Sequence, residues 1–138
     1  MTTPSVVRRW LIAALVLGLL GTIAELLLLE HYEEGWQMTP LVLIAAALVA
    51  LAWDAARPSA RTVRAFQAIM GLFLVAGVVG VWLHLRGAAE FQREMDPSQP
   101  RWNVFAKAMR AKAPPVLAPG IMIQLGLIGL VSSYRAKE

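Results

Sequence analysis

Twenty consecutive residues, Trp10 to Leu29, carry one ionisable side chain, Glu25. A run of that length is what an α-helix needs to cross a hydrocarbon core about 30 Å thick. Three further apolar stretches follow. The second opens on Thr39-Pro40, a capping residue with Pro at the first helical position, and runs to Trp53 or Ala56. The third carries Arg64 and Gln67 at one end and His84 at the other. The fourth begins near Pro114-Pro115, and Pro119-Gly120 is expected to kink or loosen its first turns. Backbone polar groups in hydrocarbon must be satisfied within their own segment, so all four predict helices. The expectation is an all-α, polytopic integral membrane protein. It forms a single domain over residues 1–138, with four transmembrane helices at 10–30, 40–56, 63–86 and 115–134.

Composition closes off the other classes. Apolar residues make up 58% of the chain and charged residues 16%, against about 25% charged in a soluble domain. So apolar a chain cannot bury its surface as a small soluble enzyme, and it is far from the low hydrophobicity of intrinsic disorder. With no Cys, it is not a disulfide scaffold. It also lacks a phosphate-cradling Gly-rich loop, a nucleophile elbow, an HExxH motif and a redox Cys pair. The net charge of +4 would suit nucleic acid, but the basic residues are divided between two membrane faces, and no nucleic-acid partner is expected.

Lys and Arg near the span ends set orientation. With the N-terminus inside, Arg8, Arg9, Arg57, Arg61, Arg64, Arg135 and Lys137 are cytoplasmic, and Arg86, Arg93, Arg101, Lys107, Arg110 and Lys112 are outside. That division is nearly even. The first helix tips it, with Arg8-Arg9 before it and His31-Tyr32-Glu33-Glu34 after it. Both termini are therefore expected on the cytoplasmic side of an inner membrane. Trp10, Tyr32, Trp36, Trp53 and Tyr134 then fall near the interfaces, where amphipathic rings belong. The first apolar run is too long for a signal-peptide core, and no small-x-small cleavage site follows it, so it is expected to stay as a span.

Residues 86–114 form the one loop long enough for structure of its own. Arg86 to Asp96 should extend the third helix until Asp96-Pro97 ends it. Beyond it, residues 101–112 (RWNVFAKAMRAK) place Trp102, Phe105, Ala106 and Met109 on one helical face and Asn103, Lys107 and Arg110 on the other. This predicts a short amphipathic helix. Two dockings stay open, either on the outer leaflet and its anionic headgroups or over the bundle mouth and a partner subunit.

Ionisable groups inside a span are functional hypotheses in need of a partner. Ala14, Gly18, Gly21 and Glu25 share one face of the first helix, while Phe73, Gly77, Gly80 and His84 repeat that spacing on the third. Small-residue stripes let helices approach closely. If these two stripes pack together, Glu25 and His84 meet at one depth. The pair then either satisfies itself structurally or binds protons or cations, its titration set by desolvation against mutual attraction. Glu30, His31 and Gln124 are supporting polar groups, with Gln124 able to act as interhelical glue. Asp54, Arg57, Arg61, Arg64 and Gln67 are expected to pair locally. Glu30, Glu33 and Glu34 suit a solvated loop. Without Cys or a His-x-x-x-His pair, no metal or haem site and no cofactor is expected.

Four helices with a carboxylate in the first resemble the small multidrug resistance transporters in arrangement. In that family a Glu near the middle of the first helix exchanges drug for protons, loops are very short, and the chain works as a dimer. Here Glu25 stands nearer the end of its helix and the third loop is long, so no residue role is carried over. Two functions are weighed. The first is a non-enzymatic accessory or assembly subunit of a larger membrane complex, partnered by the lipid bilayer and by other membrane subunits. The alternative is a small homo-oligomeric transporter or channel for protons, cations or a lipophilic solute, working through Glu25 and His84.

Overall fold

The computed structural model describes residues 5–134 and is all helical, with five helices. These are α1 (Ser5–Leu28), α2 (Gly35–Ala56), α3 (Ala60–Met95), α4 (Arg101–Met109) and α5 (Gly120–Ser133). Arg135 and Lys137, placed on the cytoplasmic side above, lie outside the described residues. Three helices, α1, α2 and α3, are long and apolar enough to cross a membrane.

Local chemistry moves two of the expected boundaries. Gln37 Oε1 accepts from the amides of Glu33 and Glu34, at 2.9 and 3.1 Å. This cap starts α2 at Gly35, ahead of the expected Thr39-Pro40, and leaves Pro40 inside the helix. At the other end of the chain, Pro114, Pro115 and Pro119 keep residues 111–119 in turns, and α5 begins only at Gly120. Its 14 residues rise about 21 Å, short of the span expected from residue 115. In contrast, α3 runs as expected to the residue before Asp96-Pro97, and its 36 residues reach about 54 Å. That length exceeds the roughly 30 Å of a hydrocarbon core. Beyond α3, the exposed Asp96 carboxylate accepts from the Ser98 hydroxyl (2.6 Å) and amide (3.0 Å), which hold its pKa below the usual carboxylate value.

The four long elements close a ring in which α1 packs on α2, α2 on α3, α3 on α5 and α5 on α1, with α4 attached to α3. The most extensive contact is between α3 and α5. A Cβ on Gly126 would lie 2.9 Å from the Met70 carbonyl oxygen, and one on Gly129 would run into the Met70 sulfur. Bare backbone at both positions is what seats α5 on α3. Leu15, Leu19, Ile44, Phe66, Met70, Phe73, Met122 and Leu125 fill the core between the helices.

Outside that core the surface is apolar. Leu17 is 74% exposed, Val49 68% and Val78 61%, far more contiguous apolar surface than a soluble monomer leaves in water. Trp10 and Trp36 are also well exposed, towards the ends of their helices.

Candidate functional site

On α1 the buried face is Leu15, Leu19 and Thr22, with Leu26 packed against the same core. Each of these is the next residue after Ala14, Gly18, Gly21 and Glu25. One residue is about 100° of helix, so the small-residue stripe sits at the edge of the contact rather than in it. Gly18 is packed tightly against Leu125 of α5, where an added Cβ would come within 2.5 Å of the leucine Cδ2, whereas Gly21 has open space. On α3, Gly77 does lie in the buried face, and it and Gly80 pack against Ile123 and Pro119. The stripes of α1 and α3 therefore do not face each other. Both border α5, because the α5 glycines draw that helix into the position an α1–α3 contact would have occupied.

This geometry separates the two residues expected to pair. His84 Nδ1 lies 3.0 Å from the Pro115 carbonyl oxygen. A carbonyl only accepts, so Nδ1 carries the hydrogen and Nε2 is left as the acceptor of the neutral ring. The bond is possible because Pro119 rests on Gly80, one turn before His84, and brings the proline-rich turn over the end of α3. Glu25 is exposed, and among the described residues its carboxylate joins no hydrogen bond or ion pair. Gln124 is exposed as well, on an outward stripe of α5 with Ile121, Leu127 and Val131, and its amide is likewise unbonded within the described chain.

The partner that His84 does acquire is His31. Their ring centroids are 6.5 Å apart with planes at 62°. The end of α1 explains how His31 gets there. Its amide bonds to Leu26 O at 2.9 Å while the Glu30 amide bonds to Leu27 O at 3.1 Å, the paired pattern of a Schellman helix end. Glu30 takes the left-handed conformation this motif demands, with φ 52°, and the turn swings His31 back toward α3. Burial lowers the His31 pKa below its ordinary 6.5, and a charged His84 beside it lowers it further. Among the described residues no group of three or more His, Cys, Asp or Glu side chains is placed to hold a metal ion.

The opposite end of the bundle holds a network that sequence reasoning saw only in part. Asp54 on α2 accepts from Thr62 Oγ1 of α3 at 2.6 Å and lies 3.9 Å from the Arg8 guanidinium of α1. Arg8 Nε also donates to the Ser132 carbonyl in the last turn of α5, at 3.0 Å. Gln67 of α3 donates to Ser133 Oγ at 3.2 Å. A cavity of about 20 Å³ lies among Arg8, Asp54, Ser132 and Ser133, room for a single water molecule. Sequence proximity alone predicts that Asp54 pairs locally with Arg57, Arg61 and Arg64. Its partners Arg8 and Thr62 come from other helices, and only the closed ring brings them in.

On α4 the side packed against the protein is Val104 and Ala108. Trp102, Phe105 and Met109 are exposed, and the Trp102 and Phe105 rings stack with centroids 5.6 Å apart. Lys107 and Arg110 are exposed too, with Lys107 Nζ 2.6 Å from Gln99 Oε1.

The chain matches no protein-family model, and no curated protein or solved structure is significantly similar to it.

Proposed function

We propose that the protein is a non-enzymatic accessory or assembly subunit of a larger complex in the cytoplasmic membrane. In this reading α5, with the proline-rich turn before it, makes the fourth crossing, and both termini are cytoplasmic. One observation carries the reading. Glu25 and Gln124 face outward from neighbouring helices, without partners in the described chain, beside the open backbone of Gly21. A charge placed toward lipid at the centre of a span costs on the order of 2.5–3.5 kcal/mol, less toward the end where Glu25 lies. A second chain seated on the α1/α5 face would remove that cost and use Gly21 for close approach. The exposed Trp102, Phe105 and Met109 of α4 suit the headgroup layer, with Lys107 and Arg110 beside anionic lipid.

Transport through a Glu25–His84 pair is the weaker reading, since His84 is engaged by Pro115 and no bond joins it to Glu25. The two readings separate by photo-crosslinking in intact membranes from Gly21 and Gln124, with Val78 on α3 as the reference position. The subunit reading expects one defined heterologous membrane protein from the α1/α5 positions and none from Val78. Crosslinks to a second copy of the chain would favour the homo-oligomeric transporter. Equal capture from all three positions would sink the idea of a dedicated face.

A further inference from the structure

Where α3 leaves its apolar segment, the first charge is Arg86, one turn after the exposed Trp82, and its guanidinium lies 5.6 Å from the Trp82 ring centroid. From this point α4 folds back beside α3, and the two helices border an open groove of about 480 Å³. That volume lies within the range of ligand sites, roughly 300–1,000 Å³. Its lining divides in two. Trp82, Leu85 and Phe105 are apolar, whereas Arg86, Arg93 and Arg101 are cationic. The one acid in the groove, Glu90, is taken by Arg86 at 2.8 Å. The guanidiniums of Arg93 and Arg101 make no ion pair among the described residues, so two positive charges in the groove are left uncompensated.

We propose that this groove binds the phosphate of an anionic phospholipid from the surrounding leaflet. Arg93 and Arg101 take the phosphate oxygens, and an acyl chain leaves past Leu85 and Trp82. Three features select this occupant. Guanidinium groups match phosphate oxygens in planar, two-pronged hydrogen bonds. The groove sits at the junction of apolar and charged α3, the level of the headgroups. Its apolar wall adjoins the apolar part of that helix, which suits an amphiphile and gives nothing to a free anion. The proposal rests on the membrane part of the reading above and is independent of any partner subunit.

The test uses the full chain in a neutral detergent, with bound lipid measured by native mass spectrometry against phosphatidylglycerol, phosphatidylcholine and inorganic phosphate. Two uncompensated arginines predict a preference for phosphatidylglycerol over phosphatidylcholine of about thirtyfold. Arg93→Gln with Arg101→Gln should abolish it, and Arg93→Lys with Arg101→Lys, which keep the charge and lose the two-pronged geometry, should keep only part of it. Arg9→Gln with Arg61→Gln, an equal loss of exposed charge at the opposite end of the bundle, should leave it intact. Loss of the preference in that distant pair would mean general surface attraction and overturn the site. Displacement of the lipid by inorganic phosphate at equal concentration would identify a free-anion site instead. An acidic protein segment as the natural occupant would show as the absence of any phosphatidylglycerol preference in the purified chain. Melting temperatures of all variants separate lost binding from lost fold. Binding that survives while crosslinking from Gly21 and Gln124 fails would leave the groove standing and remove only the subunit reading.

Discussion

His84 gives its Nδ1 hydrogen to the carbonyl oxygen of Pro115, 3.0 Å away, and this bond pins the turn before α5 to the end of α3. Its loss should be felt by the monomer. His84→Ala is expected to lower stability in detergent by about 0.5–1.5 kcal/mol, the net worth of one such bond. Glu25→Gln should leave the isolated chain nearly unchanged. The double variant should show the sum of the two effects, as non-contacting sites do. A clear departure from additivity in thermal or denaturant unfolding would show that Glu25 and His84 do meet.

Histidine 31 predicts a pH dependence with a definite sign. Its folded pKa lies below the ordinary 6.5 because of burial and the neighbouring His84. The unfolded chain then binds the proton more readily, so this contribution to stability is complete above pH 6.5 and is lost as pH falls through the lower, folded pKa. Melting curves across that window should show the loss in the parent chain and a flatter profile in His31→Gln. A parent stability that rises on acidification through the same window would contradict the arrangement of the two rings.

Two glycines distinguish internal from external packing. At Gly126 an added methyl meets the Met70 carbonyl at 2.9 Å, and Gly126→Ala should destabilise the bundle by about 1–3 kcal/mol through overpacking. At Gly21 an added Cβ meets nothing within 4 Å. Gly21→Leu should therefore leave the melting of the purified chain intact while reducing crosslinking from the α1/α5 face in membranes. If both variants melt alike, the placement of α5 against α3 is wrong.

Glu30 holds a left-handed backbone, φ 52°, that costs an L-residue roughly 1–2 kcal/mol. Glycine adopts it freely but loses more entropy on folding. Glu30→Gly should accordingly raise stability by up to about 1 kcal/mol, and Glu30→Val should lower it and release His31 from His84. Chemical-shift changes of the His31 ring report the second effect directly.

For topology, a cysteine replacing Glu34 is expected to react with an impermeant reagent from outside, and a reporter fused after Lys137 is expected in the cytoplasm. Labelling of the cysteine only from inside would invert the proposed orientation.

What the sequence determined alone is the helical, membrane-suited character of the chain and the approximate places of its helices. Apolar runs of about twenty residues leave the backbone no other way to satisfy its hydrogen bonds in hydrocarbon, and Asp96-Pro97 ends α3 by sterics that act on the neighbouring residue. Helix ends governed by one side chain were already less legible, since the Gln37 cap competes with Thr39-Pro40 and prevails by bonding two amides at once. The pairing of helices was decided only in the tertiary structure. On a helix as uniformly apolar as α1 every face is a plausible contact, and a turn of one residue, about 100°, moves Glu25 out of the interface and Leu26 into it. That turn is set by α5, whose Gly126 admits the backbone of α3 and whose Gly129 admits the Met70 side chain so closely that α5 becomes the neighbour of Gly18 on α1 and of Gly77 and Gly80 on α3. Nothing local to residues 25 or 84 encodes this. Their separation follows from how closely two other helices can approach.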